Sequence, residues 1–312
     1  MSAGGWLALC VAGTLGCTSH VVQAPPAPPA FSVDRPGAAI PGDLDVALRL
    51  DLAGARRLFG TAFGHAVAFD ITDRAADPKT AELIASGIAR ADAAWVAFRP
   101  GLSAPTTDNV LLLRGEFGDL EPYGPGSDWG PPIDLGGAMR LYKRRPPKRR
   151  SSPARIYARS DDWLVFVSNA EVDAAERSIE RHSNDEHVDP PDHGIVSLSA
   201  RARPLVRLLA ADYPAVAEAL EDAKTVEGSA TADDRGLALD LSARFQTAAD
   251  AVRAGDRARL LLSVLAHAKG PFALLAQGAV PTAVGTNLVV RVHLDAKALA
   301  TIIGCFGGSG DC

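Results

Sequence analysis

The chain has 312 residues, 47% of them apolar, enough to bury one large core or two smaller ones, so disorder is not the default. Its formal net charge of -5 is modest and spread over many residues. It gives no global electrostatic case for nucleic-acid binding, so no nucleic-acid partner is expected.

At the N-terminus, Trp6 to Leu15 form an uncharged run, WLALCVAGTL, about as long as the hydrophobic region of a signal peptide and too short to cross a bilayer. The run meets Gly16 and Cys17 and then turns polar. This stretch resembles the bacterial lipoprotein signal, in which a hydrophobic run meets small residues and a cysteine that is lipidated and becomes residue one after cleavage. The resemblance implies a signal peptide over 1–17, lipidation at Cys17 and a membrane partner reached through that lipid. With Thr18 after the cysteine in place of the Asp that retains such proteins at the inner membrane, it implies the outer membrane of a bacterial cell envelope. Of the remaining cysteines, Cys10 leaves with the signal, and Cys305 and Cys312 bracket FGGSGD in a tail over 305–312. They either close a short disulfide loop in an oxidising compartment or stay as two thiols.

Residues 18–42 are rich in Pro and Ala and read as a semi-extended tether of at most ~75 Å at polyproline rise. The body then shows a repeated unit. DVALRLDLAGARRLFG at 45–60 and VVRVHLDAKALATIIG at 289–304 share a period-two strand, an acidic residue (Asp51, Asp295), a short helix and a closing glycine. A degenerate copy at 195–210 has Arg201 at the acidic position. Helices over 77–92 and 212–223 follow the first and third of these units, and each precedes two strands. The fold class expected is α+β: two related subdomains over 43–183 and 194–304, joined by a linker at 184–193, each an antiparallel sheet with helices on one face. The uncharged run 270–290 is broken by Pro271, Gly278, Pro281 and Gly285 into a short helix, a turn and a strand. Leu261, Val264, Leu265 and Ala268 have the spacing of a helical core stripe.

Three stretches carry candidate chemistry. Between two strands, Lys143, Arg144, Arg145, Lys148, Arg149, Arg150 and Arg155 make a basic loop, either an anionic-ligand site suited to a glycolipid headgroup or a solvated hairpin tip. His182, His187 and His193, with four carboxylates among them, are weak metal-ligand candidates for a metal-dependent hydrolase, or else a polar linker. Tyr123 and Trp129 lie in a Gly/Pro-rich loop over 116–132, either as contact residues or pinned beneath it. No standard catalytic or cofactor motif is present, so no catalytic residue or cofactor is assigned. Asp51 and Asp295 are read as helix N-caps. The reading is a lipid-anchored envelope protein that binds or scaffolds, with an envelope protein or an anionic glycolipid as possible partner. The hydrolase and the anionic-ligand binder stand as alternatives.

Overall fold

A computed structural model describes residues 39–59, 78–100, 109–145, 153–180, 188–211, 213–233, 236–267 and 271–295. Its strands are β1 (Val46–Asp51), β2 (Ala91–Phe98), β3 (Asn109–Gly115), β4 (Ile133–Gly136), β5 (Met139–Lys143), β6 (Pro153–Arg159), β7 (Trp163–Ser168), β8 (Val196–Arg201), β9 (Ala223–Asp233), β10 (Gly236–Phe245), β11 (Ala279–Val284) and β12 (Asn287–Asp295). The helices are α1 (Leu52–Phe59), α2 (Pro78–Arg90), α3 (Val172–Ala175) with a π turn (Glu176–Glu180), α4 (Ala202–Leu209), α5 (Pro214–Leu220), α6 (Ala248–Leu265) and α7 (Pro271–Gln277). All the strands join one antiparallel sheet, ordered β11-β12-β10-β9-β8-β1-β2-β3-β7-β6-β5-β4. The class is α+β.

The sequence repeat is visible in this order. The run β1-α1-α2-β2-β3 recurs as β8-α4-α5-β9-β10, and each half is extended by a later hairpin, β6–β7 beside β3 and β11–β12 beside β10. The halves meet where β1 pairs with β8, with Leu48 opposite Leu198, Val46 opposite Ala200 and Leu50 opposite Val196. The pattern is symmetric about the Leu48–Leu198 pair. The halves therefore share one continuous sheet. The resemblance of 289–304 to 45–60 does not follow this symmetry, because β12 stands where β7 stands in the first half. Residues 296–304, the helical part of that copy, lie outside the described residues.

Asp51 caps α1 by accepting a hydrogen bond from the Gly54 N–H at 2.8 Å. Arg201, at the same position in the second half, makes no cap. It reaches back to the first half instead, donating to the carbonyls of Gly42 (2.6 Å) and Leu44 and pairing with Asp45.

Alternation along the strands gives the sheet two sides, and the two halves cover them differently. In the first half, α1, α2 and the loop holding Phe117 and Trp129 pack on one side, the helix side, over Ala94, Leu111, Leu113, Leu164 and Phe166. The other side, the back, holds Trp95, Leu112, Trp163 and Val165, and is covered by Ala39, Ile40 and Leu44, by Ala175 and Ile179, and by Val188. Ala39 and Ile40 therefore belong to the core and not to the tether, whose expected boundary at 42 is corrected: they are 0% and 2% exposed because the back of β1–β2 offers them an apolar bed.

In the second half, α4, α5, α6 and α7 pack on the helix side, over Val226, Ala243, Phe245, Leu288, Val292 and Leu294. Helix α6 makes its contact through Ala251, Ala254, Gly255 and Ala258, small residues that allow close approach to the sheet. The core stripe expected at 259–268 is corrected here. Val264 is 64% exposed and Leu261 and Leu265 are only half-buried, because the buried residues of the helix lie in its earlier turns, while Ala268 lies outside the described residues.

Candidate functional site

On the back of the second half, strand alternation places Ser197, Ser199 and Arg201 of β8, Thr225, Glu227 and Ser229 of β9, and Asp240, Ser242 and Arg244 of β10 on one side, with Arg291, Val289 and Asn287 of β12 opposite the three β10 residues and His293 one step further along. The intervening residues, such as Val226, Ala243 and Leu288, are the ones buried beneath the helices. Four strands at about 4.8 Å spacing give this polar back a width of ~14 Å, and β11 beside it presents the exposed Val280 and Val284 on the same side. Glu227, Asp240, Arg244, Arg291 and His293 are exposed on it. The helices of this half are all on the opposite side among the described residues.

The charges on this back are used unequally. Arg291 pairs with Asp240 directly across the β10–β12 ladder at 3.2 Å. Arg201 is engaged with Asp45 and with backbone carbonyls. Among the described residues the side chains of Arg244 and Glu227 have no hydrogen-bond or ion-pair partner. Both line a hollow of about 330 Å³ together with Thr225, Ser242, Thr286 and Asn287. All six lining residues are polar. Arg244 stands opposite Thr225 on one side and Asn287 on the other, and Ser242 opposite Glu227. The hairpin turn beside it is tied down by the Phe245 N–H, which donates to the Thr286 carbonyl at 2.8 Å.

Next to this back, where the described chain begins, sits a knot of ion pairs. Arg99 pairs with Asp43 at 2.6 Å and makes two bonds to Glu171, a carboxylate that is 3% exposed; Arg177 also reaches Asp43 at 3.0 Å. Burial works to raise the Asp43 carboxyl, but the Arg99 hydrogen bond and charge, with Arg177, hold it below the usual value. Further along the first half, burial and the Glu180 hydrogen bond push the Tyr157 hydroxyl up. Burial and Glu121 push Tyr142 up to about 12. These groups sit in ties between elements.

The residues singled out from the sequence are scattered. Asp51 is the cap expected, and it lies four strands from β12, which Asp295 ends, about 19 Å by strand spacing. Arg144 is corrected as an anionic-ligand residue. Its side chain is 2% exposed, held between Asp128 (3.4 Å), the Pro153 carbonyl and the Trp129 ring, whose centroid is 5.9 Å away. Arg155 is likewise taken by Glu176 and Glu180. Lys143 and Arg145 are exposed, and Lys148, Arg149 and Arg150 lie outside the described residues. So do Cys17, His182, His187, Cys305 and Cys312. His193 is exposed, and among the described residues no group of three His, Cys, Asp or Glu side chains is placed to hold a metal. In the 116–132 loop Trp129 is buried, whereas Tyr123 is 46% exposed. Among the described residues no helix is long and apolar enough to cross a membrane.

The polar back was missed by sequence reasoning, although its signal was present: KTVEGSAT in β9 and LDLSARF in β10 alternate with period two.

No family model and no curated protein matches this chain. Two solved structures similar to it are crystal forms I and III of TP0453. Form I has a TM-score of 0.45 and 14% identity, over 86% of this chain and 96% of that one. Form III has the same TM-score and identity, over 88% of this chain and 99% of that one. A likeness of this degree says nothing about activity.

Proposed function

We propose that this chain is a lipid-anchored protein of the bacterial cell envelope, held at the outer membrane through Cys17, and that it works by binding or scaffolding. The observation that supports the reading is a shared side. Ala39 to Leu44 pack against the back of the first half, so the described chain begins on the side of the sheet where the second half exposes Glu227, Asp240, Arg244, Arg291 and His293. The joining point is tied to both halves, by Arg99 and Arg177 on Asp43 and by Arg201 on Gly42 and Leu44. The metal-hydrolase and basic-loop readings have no comparable observation in their favour.

The test is photo-crosslinking in cells, with a photoreactive residue at Asp240 or Arg291 on the open back, or at Val252 on the helix side. The reading predicts discrete adducts from the back positions that weaken when Cys17→Ala releases the protein. Adducts from Val252 alone, or from no position, would overturn it.

A further inference from the structure

We infer that the hollow around Arg244 is a binding site for a short zwitterionic peptide, its carboxylate on Arg244 and its ammonium on Glu227. The inference deepens the binding reading above and rests on the open back being a working surface. Arg244 and Glu227 carry opposite charges on the same face of neighbouring strands, offset by one two-residue step, because Ser242 is the residue paired with Glu227. Such diagonal neighbours are ~7–8 Å apart at Cα. Two extended residues span about 7 Å. The two side chains do not pair with each other, and Asp240, the other acid nearby on β10, is already held by Arg291.

The hydroxyls of Thr225 and Ser242 lie between the two charges, and Thr286 and the amide of Asn287 lie beyond Arg244 on the β12 side. Hydroxyls and a carboxamide both donate and accept, which suits the N–H and C=O of a peptide unit. The guanidinium offers a carboxylate its two-pronged fork. With all six lining residues polar, the hollow offers little to an acyl chain or an aromatic ring, whose binding draws on buried apolar surface. A simple anion would use Arg244 and leave Glu227 as a repulsive neighbour.

The test titrates the full chain, purified in detergent, with diglycine, N-acetylglycine and glycinamide, following backbone amide shifts at Thr225, Arg244 and Asn287. Diglycine is expected to shift these amides saturably, and to bind at least about tenfold more tightly than either capped compound. Arg244→Ala and Glu227→Gln are each expected to weaken it by about tenfold, with Arg244→Lys recovering part of the loss. The proposal is overturned if N-acetylglycine binds as well as diglycine, if neither variant changes the affinity, or if diglycine leaves the amides unmoved. A failed titration leaves the crosslinking result standing. Diglycine binding by a protein that carries no lipid would keep this site and remove the anchor.

Discussion

Leu48 of β1 faces Leu198 of β8, and this one pair stands at the centre of the symmetry that joins the two halves into a single sheet. Because the ladder continues through it, the halves are expected to unfold together, in one transition with denaturant. Leu112→Ala, at a fully buried position, should cost about 4 kcal/mol, and Leu198→Ala, which is only half-buried, about 2 kcal/mol. Urea titrations by circular dichroism and by tryptophan fluorescence check this. Separate transitions for the two probes would mean that the joint does not couple the halves.

The cap on α1 sets up an interaction between two positions. A Cβ at Gly54 would stand 2.4 Å from Oδ2 of Asp51, so Gly54→Ala drives the carboxylate out of its capping place. Asp51→Ala alone should cost about 1 kcal/mol. Gly54→Ala should cost a similar amount in the native background, yet stabilise by up to about 1 kcal/mol once Asp51 is already Ala, since alanine is the better helix former. A double-mutant cycle with these three variants measures the reversal of sign.

The Asp43 knot gives a pH dependence. Its carboxyl is held below the unfolded value, so its contribution to stability is complete above the ordinary Asp range, near ~3.9, and is lost as pH falls through the lowered folded value. The stability gap between the native protein and Asp43→Asn should be widest near neutral pH and close in acid. Denaturation midpoints of both proteins across that range decide it, and a gap that grows on acidification would contradict the assignment.

The basic loop separates into structural and free charges. Arg144→Ala removes a buried guanidinium from Asp128, Pro153 and the Trp129 ring, and should cost about 1–3 kcal/mol. Lys143→Ala and Arg145→Ala, both exposed, should stay within about 0.5 kcal/mol of the native protein. Thermal melts of the three variants test the distinction.

Much of this architecture could be read from the residues. The period-two runs in 45–51 and 195–201, each followed by an amphipathic helix, are local signals, and β1-α1 and β8-α4 form where those signals lie. The pairing of β1 with β8 was not legible. It joins residues about 150 positions apart, and Leu48 and Leu198 carry nothing that names each other as partner. The stripe of Leu261, Val264 and Leu265 misled for a related reason: helical spacing reports that a stripe exists, while burial depends on which turn meets the sheet, and the small residues Ala251 to Ala258 took that place. In the candidate site, Thr225, Glu227, Ser242 and Arg244 were legible as alternating polar residues. Their convergence with Asn287 came from the strand order β9-β10-β12, which only tertiary structure supplies.

Lipidation of Cys17 is tested by the intact mass of the membrane-extracted protein, with Cys17→Ala as control. Loss of residues 1–16 and a diacylglyceryl adduct on Cys17 are expected, both absent from the control. A full-length, unmodified mass recovered in the soluble fraction would contradict lipidation.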